Sequence, residues 1–352
     1  MPIYFFLASI ILSFLLSYVA LKISRRYRLF DLPNEERKIH QNPIPNVGGI
    51  AMFVSFWIVL IAFIIIAKTT GYYLKYEIGL LVASSILFIV GILDDRKKLR
   101  PLTKIIAQII AGLVIIASGV GITYINNPFG GFIFLNQIQI PIAIFDSVHH
   151  ITLIADILAL LWIVGMINVV NFLDGLDGLA SGVSVIAFAV IYFLSVNPTV
   201  NQPLSATISV VAIGVVLGFL PFNLNPAKIF MGDTGSMFLG LLLATLAIIA
   251  GGKVATALLV LGLPIFDGLW VATARLLQGK APWVAGRDHL HHKLLDLGLS
   301  RRVVVIIFWI ITALFGSIAL ISDAQGKLLG LIILFFLLFV ATATISKKAK
   351  IS

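Results

Sequence analysis

ILALLWIVGMINVVNFLDGLDGLASGVSVIAFAVIYFL, residues 157–194, is the stretch whose reading decides the fold. The apolar runs ILALLWIVGMI and LASGVSVIAFAVIYFL belong to segments long enough for lipid, since about 20 residues of helix cross roughly 30 Å of hydrocarbon. Between them stand Asn168, Asn171, Asp174 and Asp177 at steps of three, on neighbouring rows of one helical face. Polar groups gathered at the end of a membrane helix cost free energy, and by default they mark a site. Gly175 and Gly178 follow the two carboxylates and let backbone approach backbone or ligand closely.

The rest of the chain extends this pattern. Apolar residues make up 60% of the 352 and charged residues 11%, with a mean hydropathy of +1.09. That composition excludes a pair of soluble domains and predicts an all-α polytopic membrane protein, one integral domain over residues 1–352. About eleven transmembrane helices are expected, near 3–23, 48–67, 76–93, 103–122, 151–170, 176–194, 205–222, 235–251, 254–276, 303–322 and 328–345. Lys22, Arg25, Arg26 and Arg28 follow the first apolar run, which has no basic segment before it. This is the pattern of a first span with its N-terminus outside rather than of a signal peptide. With that orientation the C-terminus is cytoplasmic, and all but Lys68, Lys75, Lys253 and Lys327 of the 25 Lys and Arg lie inside. The net charge of +10 therefore reads as topology, and no nucleic-acid partner is expected. The chain has no Cys, which excludes disulfides and thiolate metal sites.

One outer loop, 121–150, alternates apolar and polar residues around Gly (NNPFGGFIFLNQIQIP), the signature of a short β-hairpin. His149 and His150 beside it carry no assignment. The five inner loops each hold a different polar cluster: ERKIHQNPIPNVGGI, GILDDRKKLRPLTK, the 168–178 stretch, FNLNPAKIFMGDTGS and GKAPWVAGRDHLHHKLLDLG. Five unlike clusters on one face read as an assembled site.

Asp94 and Asp95 end an apolar helix, where carboxylates oppose the macrodipole and call for a cation or basic neighbour; a solvated helix end is the plainer alternative. Asp177 is suited to N-capping the next span, a role that leaves Asn168, Asn171 and Asp174 unexplained. A Mg²⁺ site, with oxygen ligands, waters and substrate phosphates, would use them all. Gly-Asp-Thr-Gly at 232–235 opens a helix and offers backbone N–H groups to an anion, or else Thr234 or Ser236 is an ordinary cap. His289, His291 and His292 lack the Cys or HExxH partners of a zinc site, so with Arg287 and Lys293 beside them a phosphate-binding loop is favoured. Asp267, after Pro264, reads as an interior polar contact. Carboxylates for a metal, a helix N-terminus, and Lys, Arg and His for anionic oxygens together imply phosphoryl chemistry by positioning and charge neutralisation.

At these residues the chain resembles the polyprenyl-phosphate N-acetylhexosamine-1-phosphate transferases. The resemblance rests on PNVGG (45–49), LDDRKKL (93–99), NVVNFLDGLDGLASG (168–182), NPAKIFMGDTGS (225–236) and RDHLHH (287–292), in that order over most of the chain. PNVGG and HLHH look more like the WecA/TagO type than like MraY. The resemblance implies transfer of N-acetylglucosamine-1-phosphate from UDP-N-acetylglucosamine to undecaprenyl phosphate at the cytoplasmic face of a bacterial inner membrane, with release of UMP and initiation of a cell-envelope polysaccharide. Muramoyl-pentapeptide transfer is the alternative within the family. A nucleotide-sugar or lipid-anion transporter is the alternative outside it, disfavoured because no internal repeat is visible and the clusters lie at one face. The implied cofactor is Mg²⁺, with Mn²⁺ as a substitute; the implied partners are the UDP-sugar, the polyprenyl phosphate, the membrane, and a second copy if the protein dimerises.

By matched position, Asp233 resembles the Mg²⁺ ligand, with Asn171 beside it. Phe230 matches the aromatic that stacks on uracil. Asn168, Asn171, Asp174 and Asp177 match residues around the nucleoside and diphosphate, Asp94 and Asp95 the pair near the lipid phosphate. Arg287, His289, His291 and His292 match the loop that closes over the donor, and Lys98 and Lys104 match phosphate contacts. The resemblance thus implies catalytic roles for Asp94, Asp95 and Asp233. A base at Asp94 is scarcely required, because a phosphate monoester with a second pKa near 6 is already largely ionised at neutral pH.

Overall fold

The computed structural model describes residues 2–27, 30–31, 43–68, 72–144, 147–250, 254–281, 286 and 288–348. An apolar run in lipid can satisfy its backbone N–H and C=O groups internally only by coiling, and helices dominate. In chain order they are α1 (Pro2–Tyr27), α2 (Gly48–Ala67), α3 (Tyr72–Lys97), α4 (Pro101–Ala117), α5 (Leu153–Leu173), α6 (Leu179–Val196), α7 (Pro203–Asn223) and α8 (Gly232–Ile249). There follow α9 (Val254–Val260), α10 (Gly262–Leu277), α11 (Leu290–Asp296), α12 (Arg301–Ile321) and α13 (Ala324–Lys348).

Among the described residues nine helices are long and apolar enough to cross a membrane, and α9 with α10 makes a tenth if counted as one span. The sequence predicts eleven. Its span at 103–122 is α4, whose 17 residues fall short of that length. Gly119, at φ 98°, ends α4 by adopting the left-handed conformation, which lets Val120 N–H reach back to Ile115 O at 3.3 Å. The span expected at 254–276 bends by 79° between α9 and α10. Pro264 has no N–H to continue the helical ladder there.

Short strands occupy the loops. β1 (Phe30–Asp31) pairs antiparallel with β2 (Ile44–Pro45). In the segment expected to hold one hairpin, two form: β3 (Tyr124–Asn126) with β4 (Phe132–Phe134), and β5 (Gln139–Ile144) with β6 (Ser147–Thr152).

The core is organised on α8, which is buried along almost its whole length and packs against α2, α3 and α5, with α6, α7 and α9 also in contact. Small residues allow this: a Cβ on Gly240 would lie 2.6 Å from the Cα of Ile167 in α5. Close approach of this kind holds helices together where lipid removes the hydrophobic drive between them. Outward faces carry exposed Ile65, Leu161, Ile310 and Phe336, as lipid-facing surfaces do. The turns α3–α4, α5–α6 and α7–α8 meet at one end of the bundle through the side-chain contacts described next.

Candidate functional site

Two carboxylates at the end of α3 have different surroundings. Asp94 Oδ1 accepts from Leu99 N–H at 2.7 Å, and its Oδ2 lies 3.2 Å from the Lys104 ammonium on α4. The same ammonium donates to Asp233 Oδ2 at 2.7 Å, so Lys104 bridges α3, α4 and the first turn of α8. Asp95 faces the N-terminus of α8. Its Oδ1 accepts from Asn46 Nδ2 at 3.0 Å and from the Asp233 N–H at 2.9 Å. Its Oδ2 accepts from Thr234 N–H at 3.2 Å and Thr234 Oγ1 at 2.6 Å. The anion that the Gly-Asp-Thr-Gly turn invites is thus the protein's own carboxylate.

The 168–178 stretch supplies one wall. Asn168 Nδ2 donates to Gln108 Oε1 at 2.7 Å and to Val164 O at 2.8 Å. Asn171 Nδ2 donates to Ser236 Oγ at 2.9 Å. Asp177 does not cap α6, whose cap position is Gly178. Its Oδ2 accepts instead from Asn225 Nδ2 at 2.8 Å and Ala227 N–H at 3.1 Å, tying the α5–α6 turn to the α7–α8 loop. The Asp174 N–H donates to Asn171 O at 3.2 Å, and its carboxyl has no hydrogen-bond partner among the described residues. Burial first, then the neighbouring Asp233, Asp95 and Asp177 carboxylates, push its carboxyl well above the usual range. The donors around the single Lys104 ammonium are all oxygen, as a hard divalent cation takes, and a cation there would favour the ionised form of Asp174. No group of three His, Asp or Glu among the described residues forms a ready metal cage. A cation completed by waters and substrate phosphates, with Asp233, Asp174 and Asn171 as protein donors, fits this set.

The residues at the start of α11 dock on α10 and pack against the 168–178 stretch. His289 Nδ1 lies 2.9 Å from Asp267 Oδ2, and Leu290 N–H donates to Asp267 Oδ1 at 2.7 Å. Arg275 donates to Asp288 Oδ2 from Nη2 at 2.6 Å and from Nε at 3.0 Å. The His289 ring stacks 5.7 Å from His291 and lies 5.4 Å from Phe172. His291 is 1% exposed and pressed on Gly175, where a Cβ would lie 2.6 Å from its Nε2. A Gly175→Ala variant should therefore overpack this contact at a cost of roughly 1–3 kcal/mol. Thermal unfolding in detergent reads it, and an unchanged midpoint would mean the ring has room to shift.

Burial, then the neighbouring His292 and His289 rings, hold the His291 imidazole well below the usual histidine range. A group with a folded pKa below its unfolded one, about 6.5 for His, contributes stability above that pH and loses it as pH falls towards the folded pKa. The docked loop is expected to open progressively below about pH 6.5. Protease cleavage within 279–298 should accelerate there in the native protein and much less in His291→Phe.

Phe230 is half-buried, with its backbone bridged to Asn46. Lys98 is exposed, at a left-handed φ of 48° that closes α3. Arg287 lies outside the described residues. Asn46 and Gln108 take part in these contacts without being singled out by the sequence, where each only lies within or near a polar cluster; Ser236, a candidate cap there, instead accepts from Asn171. Beside Asn168 and Phe172, an apolar groove of about 300 Å³ runs between α5 and the bent α9–α10 pair, lined by Trp162, Met166, Ile265 and Leu269 among others.

The fold and this site define a multi-pass helical membrane protein with a carboxylate cluster at one end of the bundle. The chain belongs to glycosyl transferase family 4, whose sequence pattern matches residues 77–251. It is 30% identical over 341 residues, 95% of this chain and 88% of the relative, to the probable undecaprenyl-phosphate N-acetylglucosaminyl 1-phosphate transferase of Bacillus subtilis (strain 168). It is 33% identical over 332 residues, 85% and 78% of the two chains, to the decaprenyl-phosphate N-acetylglucosaminephosphotransferase of Mycobacterium tuberculosis (strain ATCC 25618 / H37Rv). The phospho-N-acetylmuramoyl-pentapeptide-transferase of Staphylococcus epidermidis is 29% identical over 290 residues, 78% and 84% of the two chains.

Proposed function

We propose that this protein transfers N-acetylglucosamine-1-phosphate from UDP-N-acetylglucosamine to undecaprenyl phosphate, releasing UMP, at the cytoplasmic face of the bacterial plasma membrane. The observation that carries the reading is the adjacency of two unlike surfaces. A cluster of carboxylates around one ammonium, suited to a phosphorylated polar donor, lies near an apolar groove lined by Asn168 and Phe172 and suited to a polyprenyl chain. The relatives' names supply the chemistry, and the weight of Lys and Arg in the loops at this end supports its cytoplasmic placement.

In this reading an oxygen of the lipid phosphate attacks the sugar-linked β-phosphorus. The bond from that phosphorus to the bridging oxygen breaks, and UMP leaves with the electron pair. Asp233, with Asn171 and Asp174, would hold Mg²⁺, which neutralises charge on the diphosphate. Lys104 presents its ammonium to the same phosphates from between Asp94 and Asp233. Asp94, with one oxygen on Leu99 N–H and the other on Lys104, acts as the holder of that lysine; the ionised lipid phosphate requires no base. His289, oriented by Asp267, and Phe230 flank the nucleotide. The product starts a cell-envelope polysaccharide such as a teichoic acid or an O-antigen-like chain.

Purified protein in nanodiscs with Mg²⁺ and undecaprenyl phosphate should release UMP from UDP-N-acetylglucosamine and form the lipid-linked sugar. Release only from UDP-N-acetylmuramoyl-pentapeptide would favour the muramoyl alternative. Uptake of UDP-sugar into vesicles without UMP release would overturn the enzyme reading.

A further inference from the structure

The N-terminus of a helix leaves four backbone N–H groups without partners, and α8 has no side-chain cap of its own at Met231. Asp95 supplies that cap from another helix, and both of its oxygens are used in doing so. Asn46 joins the arrangement through its Nδ2–H, donated to Asp95 Oδ1 at 3.0 Å. Its backbone is fixed on both sides: Phe230 N–H donates to Pro45 O at 2.8 Å, Gly48 N–H to Phe230 O at 2.9 Å, and Gly49 N–H to Met231 O at 3.0 Å.

The space between them is filled. Gly232 sits at φ 66°, and a Cβ there would lie 2.4 Å from Asn46 Oδ1 and 2.6 Å from each Asp95 oxygen. The Asn46–Asp95 pair is therefore packed on the Cα that precedes Asp233. Asn46 Oδ1 is itself buried without a hydrogen-bond partner. An unsatisfied acceptor costs free energy, so what the Asn46 side chain contributes here is its donor.

We propose that Asn46 is a positioning residue for the transfer reaction, orienting Asp95 as the cap of α8 so that Asp233 is aimed at the cation and the donor diphosphate. Asp95, expected from the resemblance to be catalytic beside the lipid phosphate, is in this assignment a positioning residue too. The assignment rests on the proposed function only for the identity of the substrate, because the aim of Asp233 is measurable without one.

The test measures Mn²⁺ binding by electron paramagnetic resonance in nanodiscs without substrate, alongside UMP release and thermal unfolding. Asn46→Asp keeps the shape and replaces the donor with a second carboxylate; Asn46→Ala removes the whole amide, donor and buried acceptor together. Hydrogen bonds to charged groups contribute enough that Mn²⁺ affinity should fall roughly tenfold to a hundredfold in either variant. The unfolding midpoint should stay near that of the native protein. Native Mn²⁺ affinity in folded Asn46→Ala would overturn the proposal, whether or not turnover falls. So would a loss of binding that only tracks unfolded protein. If the native protein releases UMP from no UDP-sugar, the proposed function fails while the Mn²⁺ comparison still decides this point.

Discussion

Asp233→Asn should lower UMP release by roughly 10²–10³-fold, the range seen when one electrostatic contact to a developing charge is lost. The variant isolates charge from architecture. Asp95 caps α8 through the Asp233 backbone N–H rather than its side chain, so the cap persists in the amide. What changes is the group facing Lys104 at 2.7 Å. A carboxylate oxygen there accepts from the ammonium, whereas the amide offers one oxygen and two further donors. Divalent-cation binding should weaken together with turnover, while the unfolding midpoint moves little. Single-turnover UMP release and Mn²⁺ binding on the same preparation check both. Retention of activity within tenfold would remove Asp233 from the reaction.

Much of the architecture was legible because membrane helices are written as long apolar runs. Each expected span coincides with a helix or a helix pair, and the two departures have local causes. The α4 run ends early at a glycine able to adopt a left-handed turn. The α9–α10 run is continuous in hydropathy, and only Pro264 signals its break. Residue types in the site were legible too, but their pairings were not. Lys104 and Asp233 meet across a sequence separation of 129, and periodicity within one helix carries no information about such contacts. Asn46 lay within a quoted motif yet had no chemistry of its own to draw notice, because its role exists only once α3 and α8 are adjacent. Asp177 illustrates the opposite case. A carboxylate beside a helix start suggests an N-cap, yet the positive φ of Gly178 makes the turn there and leaves Asp177 to anchor Asn225.

The carboxylates also explain why one lysine carries so much. Asp94, Asp95, Asp174 and Asp233 converge near the start of α8. Asp95 is satisfied by four donors, which leaves Asp94 and Asp233 to share Lys104, and the Asp174 carboxyl with no hydrogen bond among the described residues. In such a set a substrate phosphate can enter only where positive charge offsets the acids. Lys104 is the ammonium held in the cluster itself, and any cation bound at Asp233 would be the other source.

Lys104→Met should lower turnover by roughly a hundredfold while strengthening divalent-cation binding, the opposite sign to Asp233→Asn. Methionine has a comparable unbranched reach and keeps the apolar stem against α4, so packing is little disturbed. Without the ammonium, Asp94 and Asp233 face each other with no fixed positive charge between them, and a divalent ion becomes the better counter-charge. The ion should then bind more tightly and the diphosphate less productively, because one of two positive charges facing it is gone. Lys104→Arg should recover part of the turnover, since a guanidinium also spans two carboxylates. Mn²⁺ titration without substrate, followed by UMP release at saturating metal, separates the two effects. Weaker metal binding in Lys104→Met would mean that the lysine supports the cation site rather than competing with it, and the division of roles between Lys104 and the metal would have to be redrawn.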